Sequence, residues 1–152
     1  MTRRISLASL DDLVPVQAIV RLAYTRYITR IGREPGPMLD DYATLIREGR
    51  LYVGKHGDVV QGLLVLLPQD DAMLLDNVAV APEAQGLGLG RALLDLAERA
   101  AVEAGYHVIK LYTNEAMVEN IALYRRLGYA ETHRAEEKGL RRVYMRKPLR
   151  DR

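Results

Sequence analysis

Residues 78–94 read VAVAPEAQGLGLGRALL, and this stretch indicates the fold more clearly than any other part of the chain. An apolar run ends at Pro82, glycines stand at positions 86, 88 and 90, and an amphipathic pattern begins at Arg91. This order predicts a strand, a glycine-rich turn and a helix N-terminus. Glycines let a backbone approach an anion closely, and the first helical turn offers unpaired N–H groups with a favourable dipole. We therefore expect a phosphate-binding loop here.

The glycine spacing argues against two common phosphate-binding motifs. A dinucleotide-binding fingerprint would need a third glycine where Arg91 or Leu93 stands. A P-loop would need Gly-Lys-Ser or Gly-Lys-Thr after the glycines, and neither follows them. A glycine-rich turn that merely joins a strand to a helix stays open as the alternative at this point.

The composition is that of an ordinary globular protein. A chain of 152 residues with 49% hydrophobic and 28% charged residues predicts a single domain over residues 1–152. The net charge of +2 indicates neither nucleic acid nor a membrane as a partner. With no cysteine and no histidine pair at ligand spacing, we expect no metal site. No signal peptide or membrane-spanning run is visible, so we expect a cytoplasmic protein.

Hydrophobic periodicity predicts the element order β, α, α, β, β, β, α, β, α, β, β. The strands are expected near residues 5–8, 51–55, 58–67, 72–80, 107–113, 129–134 and 140–147, and the helices near 9–31, 40–47, 91–104 and 117–127. The strand before the third helix and the strand after it should be parallel, joined by a right-handed crossover. The fold class is thus mixed α/β, with about seven strands flanked by four helices.

Two segments in this order resemble the GCN5-related N-acetyltransferase (GNAT) family. Residues 85–90, QGLGLG, match its pattern Gln/Arg-x-x-Gly-x-Gly/Ala, and residues 120–129, NIALYRRLGY, are similar to its block A-x-x-LY-x-x-LGF. The resemblance implies an acetyl-CoA-dependent N-acetyltransferase. The acetyl group would pass to a primary amine of a small molecule or peptide, by direct attack in a ternary complex. A CoA-binding regulatory domain with little or no catalysis is the alternative.

The resemblance also implies where acetyl-CoA binds. The backbone of Val78, Ala79 and Val80 would pair with the pantetheine arm, and a bulge there would splay the fourth and fifth strands. The residues expected around the pyrophosphate are Gln85, Gly86, Leu87, Gly88, Leu89, Gly90 and Arg91. In many family members an asparagine contacts the cofactor seven residues before a conserved tyrosine, which here is Tyr124; Met117 stands at that position. We expect Asn120, which lies on the same helical face one turn nearer Tyr124, to make this contact instead. The alternative is that Asn120 is a solvated polar residue.

Tyr124 matches the tyrosine that protonates the departing CoA thiolate in many family members. Its ordinary pKa of about 10 keeps it protonated at neutral pH. The alternative is a core side chain. For the base that deprotonates the amine, Asp76 is the first candidate and Glu115 the second, against the alternative that either is a solvated surface carboxylate. Tyr112 stands where some members have a glutamate base.

In this family the first two helices and their connection border the acceptor site. Here the resemblance directs attention to Tyr27, Arg30 and Arg33, with Asp76 nearby, in a region that also contains Tyr24, Asp40 and Asp41. The arginines would bind an acceptor carboxylate or phosphate, and the carboxylates would bind its amine. A solvated helix end is the alternative. Dimers are common in the family, so a homodimer is an option, although nothing in the chain fixes the oligomeric state.

Overall fold

The computed structural model describes residues 3–150, apart from the side chain of Leu39. These residues form one seven-stranded sheet in the order β1-β2-β3-β4-β5-β7-β6, together with four α-helices. The strands are β1 (Arg3–Leu7), β2 (Leu51–His56), β3 (Val59–Pro68), β4 (Met73–Val80), β5 (Val108–Asn114), β6 (Ala130–Glu137) and β7 (Leu140–Pro148). The helices are α1 (Leu13–Ile31), α2 (Tyr42–Arg47), α3 (Leu89–Glu103) and α4 (Val118–Arg126). The predicted fold class and element order are confirmed.

The sheet is covered on both faces, which explains why its central strands are apolar almost throughout. Successive residues of β3 alternate between two buried clusters. Leu63 and Val65 pack with the cluster around α1 and α2, whereas Leu64 and Leu66 pack with the cluster around α3 and α4. Side chains of a strand point alternately to opposite faces, so a strand in this position needs an apolar residue at every step.

Helix α3 begins at Leu89, two residues earlier than the predicted start at Arg91, and lies close to the sheet. Gly54 and Gly62 face each other across β2 and β3. A Cβ atom would lie 2.7 Å from Leu89 Cδ1 at Gly54 and 2.9 Å from Leu89 Cδ2 at Gly62. The missing side chains therefore make room for Leu89 and fix where the first turn of α3 sits.

Strands β4 and β5 are the only parallel neighbours among residues 3–150, and they pair over only three residues. Met73–Leu75 pairs with Ile109–Leu111, and pairing then stops. On its other side β4 carries a bulge, because Leu75 pairs with Leu66 and Asn77 with Val65, leaving Asp76 as the extra residue. The predicted splaying is confirmed, and the bulge lies at Asp76 rather than within residues 78–80. A bulge bends a strand and increases its twist.

Candidate active site

A cavity of about 340 Å³ opens where β4 and β5 diverge. Its walls come from the two strands, from α1 and α4, from the segment after α1 and from the β6–β7 turn. The lining residues are Tyr24, Arg33, Pro35, Gly36, Pro37, Asp40, Leu75, Asp76, Asn77, Val78, Leu111, Tyr112, Thr113, Asn114, Met117, Asn120, Tyr124, Lys138, Leu140 and Arg142. A volume of this size suits a small ligand or part of a larger one.

The edge of β4 that faces the gap has no neighbouring strand after Leu75. Ala81 N–H donates to the carbonyl of Gln61 at 2.8 Å. Antiparallel strands alternate bonded and non-bonded pairs, so Ala79 also bonds to β3, whereas Val78 and Val80 turn their N–H and C=O groups away from β3. Of the three residues predicted to pair with pantetheine, Val78 and Val80 thus direct their backbone groups to the gap, whereas those of Ala79 bond to β3.

The glycine-rich loop turns sharply into α3. Gly86 and Gly88 have φ values of 81° and 85°, in the left-handed region that favours glycine, and Gly88 is the N-cap of α3. Leu89 is buried, so only its backbone can serve a ligand at the loop, and Arg91 pairs with Asp95 at 3.4 Å. Gln85 Nε2 donates to the carbonyl of Val80 at 3.4 Å. The loop therefore presents backbone N–H groups at a helix N-terminus, as the sequence predicts.

Arg3 connects this loop to the first strand. Its Nη1 donates to the carbonyl of Leu87 at 3.0 Å. The same nitrogen lies 3.7 Å from where a Cβ atom on Gly88 would stand. A guanidinium thus reaches the loop from a distant part of the chain.

Asn77, beside the bulge, is buried and fully engaged in hydrogen bonds. Its Oδ1 accepts from the Tyr24 hydroxyl at 2.5 Å, and its Nδ2 donates to the Tyr42 hydroxyl at 2.9 Å. The Tyr42 hydroxyl in turn donates to the carbonyl of Pro37. The Tyr24 hydroxyl also lies 3.2 Å from the carbonyl oxygen of Val78. This network fixes α1, α2 and the segment between them against β4.

The network places two carboxyl groups together. Asp40 and Asp76 lie close enough to share a proton when one of them is protonated, and the Tyr112 hydroxyl donates to Asp76 Oδ1 at 3.3 Å. Asp40 is exposed when its whole surface is counted, but its carboxyl group lies in the cavity. Desolvation of this carboxyl and the neighbouring charge of Asp76 raise the pKa of Asp40 to about 6. Burial likewise raises the pKa of Asp76. We call this pair the carboxyl pair. A pKa near 6 suits a group that accepts a proton at neutral pH.

Positive groups surround the carboxyl pair. Arg142 stacks over the Tyr112 ring, with its guanidinium carbon 4.3 Å from the ring centroid, and pairs with Glu137 at 3.0 Å. Charges on Arg142 and Lys138 act to lower the pKa of Asp40, but desolvation outweighs them. The site thus contains both signs of charge within one small cavity.

Tyr124 lies on α4 on the opposite side of the cavity and is 7% exposed. Burial raises its pKa above the usual value, so the hydroxyl keeps its proton at any physiological pH. Its ring meets the ring of Tyr129 edge-on, with centroids 5.8 Å apart. Asn120, one turn earlier on the helix, is half-buried and also lines the cavity.

Other residues predicted for the site lie outside the cavity lining. Glu115 pairs with Arg141 at 3.3 Å and with Arg134 at 3.8 Å. Arg30 pairs with Glu119 at 2.8 Å, and the hydroxyl of the buried Tyr27 donates to the same carboxylate at 3.0 Å. Each of these side chains is thus engaged in a structural ion pair or hydrogen bond. Arg33, in contrast, does line the cavity.

The sequence analysis missed Arg142 and Lys138, and it named Asp40 only as one carboxylate of the acceptor region and not as a partner of Asp76. Asp40 belongs to a short irregular segment, and Lys138 belongs to the β6–β7 turn, where its φ of 54° is left-handed. Arg142 alternates with the buried Val143 on β7, a pattern that also fits a solvated residue. Only the register of β7 on β5, which pairs Arg142 with Asn114, shows that it lies at the gap.

A sequence model described as the acetyltransferase (GNAT) family matches residues 16–129. The chain belongs to this family. Membership confirms the resemblance drawn from the two motifs. Among residues 3–150, no three His, Cys, Asp or Glu side chains cluster as metal ligands. No helix in the same range is both long and apolar enough to cross a bilayer.

Similar proteins include acetyltransferases of several kinds. The mycothiol acetyltransferase of Pseudarthrobacter chlorophenolicus is 46% identical over 52 residues, a match that covers 34% of this chain and only 16% of that protein. The PaiA N-acetyltransferase of Thermoplasma acidophilum in complex with coenzyme A has a TM-score of 0.80 and 16% identity, covering 98% of this chain and 100% of that one. The ribosomal-protein-S18-alanine N-acetyltransferase of Escherichia coli has a TM-score of 0.77 and 21% identity, covering 97% and 94%. These structures show that the fold is shared.

Proposed function

We propose that this protein transfers the acetyl group of acetyl-CoA to a primary amine by direct attack in a ternary complex. One observation supports this most strongly. The same cavity is lined by the open edge of β4, the protonated hydroxyl of Tyr124 and the carboxyl pair. A donor site, an acid and a base are what this reaction requires.

On this proposal the donor lies along β4 and ends at the glycine-rich loop. The N–H and C=O groups of Val78 and Val80 bind its amide-bearing arm as an additional strand would, and the N–H groups of residues 86–91 bind its pyrophosphate. An N–H group of the β4 edge polarises the thioester carbonyl. Asn120 contributes a side-chain contact from α4.

The carboxyl pair and Tyr124 then handle the protons. Asp76, assisted by Asp40, takes one proton from the ammonium form of the acceptor. The resulting amine bonds to the thioester carbon, and its nitrogen then loses a second proton to solvent. Tyr124 gives its proton to the sulfur as the carbon–sulfur bond breaks. The products are an amide and a free thiol, and Tyr124 regains a proton from solvent. The reaction needs no acyl-enzyme, and the chain has no cysteine to form one.

Two measurements test the proposal. Thermal unfolding with acetyl-CoA, NADH or ATP identifies the ligand, because a molecule that binds only the folded state raises the melting temperature. Thiol release from acetyl-CoA across a panel of amines measures transfer. We expect a shift with acetyl-CoA and amine-dependent thiol release. A shift with only ATP or NADH would contradict the donor, and a shift with acetyl-CoA without release on any amine would favour the CoA-binding regulatory domain.

A further inference from the structure

The mouth of the cavity carries two positive side chains, Arg33 and Lys138, that form no salt bridge within residues 3–150, although the charge of Lys138 reaches Asp40. Arg33 Nη1 donates to the backbone carbonyl of Lys138 at 2.8 Å, a contact that leaves both positive charges in place. Within residues 3–150 neither Arg33 nor Lys138 forms a salt bridge, whereas Arg142 is paired with Glu137. Arg33 and Lys138 are therefore available to an external anion. We call them the cation pair.

The contact between Arg33 and Lys138 is built by the fold. Arg33 follows the C-cap of α1, and Lys138 stands in the β6–β7 turn, so the hydrogen bond joins two distant segments. A Cβ atom at Gly139 would lie 2.7 Å from Arg33 Nη1, so the glycine leaves room for the guanidinium. The two positive charges are thus held together at one edge of the cavity.

The carboxyl pair provides the opposite charge in the same cavity. Asp40 and Asp76 line it together with Arg33 and Lys138, and the charge of Lys138 acts on Asp40. A ligand that neutralises both centres must carry a cation and an anion. An amine without an acidic group would leave the cation pair unpaired, and a diamine would place a second positive charge against it.

We infer that the acceptor is a small amine that also carries an anionic oxygen group, with its ammonium on the carboxyl pair and its anion on the cation pair. This inference rests on the proposed acetyl transfer. Arg33 can bind a carboxylate or phosphate through two N–H groups, and Lys138 adds a point charge. The cavity of about 340 Å³ has room for only a small part of the acceptor beside the donor, so both charged groups must lie close to the reacting nitrogen.

The test compares acceptors that differ only in the anionic group. Each of a series of α- and ω-amino acids is assayed beside the amine that lacks the carboxylate and beside the carboxamide, with aminoalkyl phosphates as a parallel arm. At saturating acetyl-CoA we expect kcat/KM to be about 10-fold or more higher for the acidic members, as expected for one charge-assisted contact. A preference for phosphates over carboxylates would identify the anionic group of the acceptor as a phosphate, and the proposed binding residues would stay the same.

Variants connect the preference to the cation pair. In Arg33→Gln/Lys138→Gln the preference for acidic acceptors should fall to within about threefold, through the acceptor KM and with the KM of acetyl-CoA unchanged. Lys138→Glu should move the preference towards diamines. Arg146→Gln is the matched control, because Arg146 is exposed on β7 and lies outside this cavity. Melting temperatures verify that each variant is folded.

The outcomes separate the inference from the proposed function. Equal turnover of acidic acceptors and their neutral counterparts, or turnover restricted to peptide N-termini, would overturn the inference while leaving acetyl transfer intact. A loss of acetyl-CoA affinity in the double variant would assign the cations to the donor and overturn it as well. Thiol release on no amine at all would instead remove the proposed function.

Discussion

The carboxyl groups of Asp40 and Asp76 lie close enough to share a proton, even though one belongs to the irregular segment after α1 and the other is the extra residue of the β4 bulge. The pair exists because Asn77 holds Tyr42, and Tyr42 holds Pro37, against the strand. The proposed base therefore depends on two carboxyl groups from different segments and not on a single residue. Two carboxyl groups held together in a partly dry cavity also cost stability once both are ionised.

The first prediction concerns this cost. Asp40→Asn should make the protein more stable above about pH 6, because the raised pKa of Asp40 means that ionisation disfavours the folded state. The gain should shrink as the pH falls from about 6 to 3.8, where the folded wild type takes up the proton before the unfolded chain does. Turnover should decrease in the same variant. Denaturant unfolding between pH 4 and pH 8 measures the first effect, and thiol release measures the second.

The neighbouring Asp41 supplies the control. It is the N-cap of α2, and the backbone N–H of Thr44 holds its pKa below the usual value. Its ionised form therefore favours folding, a contribution that is present above pH 3.8 and is lost as the pH falls through the lowered pKa. Asp41→Asn should bring no gain at neutral pH. Equal gains in the two variants would show that a general charge effect, and not the carboxyl pair, is responsible.

The second prediction concerns the proposed acid. Tyr124→Phe should reduce kcat by about 10²- to 10⁴-fold while leaving the affinity for acetyl-CoA nearly unchanged, because only proton transfer to the leaving sulfur is lost. Steady-state kinetics and ligand-dependent melting together measure the two quantities.

Tyr129→Phe is the matched control for Tyr124→Phe. The Tyr129 hydroxyl is buried without a hydrogen-bond partner among the described residues, and its ring packs against Tyr124. Its removal should leave kcat unchanged and raise the free energy of unfolding by about 1 kcal/mol. A similar loss of kcat in both variants would indicate that packing around α4, rather than the Tyr124 proton, limits the reaction.

The sequence predicted the parts of the site that depend on local pattern. The glycine-rich loop, Asp76, Asn120 and Tyr124 lie in or next to regular elements, and a period or a motif places each of them. Residues that irregular segments bring to the cavity leave no such signal, as Lys138 in the β6–β7 turn shows. The ion pair of Glu115, the second base candidate, could not be predicted for a related reason, because its partner Arg141 comes from β7 and strand pairing cannot be read from a single strand.

Two tyrosines of α1, Tyr24 and Tyr27, show what helical periodicity cannot predict. Tyr24 and Tyr27 are three residues apart on one face, and both are buried. The sequence favoured Tyr27 as an acceptor contact, but Tyr24 lines the cavity and Tyr27 bonds to Glu119. Which tyrosine meets the gap depends on where β4 bends, and that follows from the bulge rather than from the helix.

The third prediction is that Gly88 and Gly90 affect the free energy of unfolding in opposite directions when they are replaced by alanine. Gly88→Ala should lower the free energy of unfolding by about 1–2 kcal/mol, since its φ of 85° is unfavourable for a residue with a Cβ atom. Gly90→Ala should raise it by up to about 1 kcal/mol, because Gly90 is within α3 and its Cβ would only touch Val80 Cγ2 at 3.6 Å. Chemical denaturation compares the two. Equal effects of the same sign would contradict the left-handed N-cap.

The fourth prediction concerns Arg3. Arg3→Ala should weaken acetyl-CoA binding by about 3- to 10-fold, because the side chain both fixes the Leu87 carbonyl and brings a positive charge to the proposed pyrophosphate site. The effect should shrink as the ionic strength rises, since the side chain is exposed. Arg4→Ala, at the next position of β1, is the control and should bind acetyl-CoA as the wild type does. Titration calorimetry at low and high salt measures both variants. Equal affinity of Arg3→Ala and wild type at low salt would show that the loop binds its ligand through backbone groups alone.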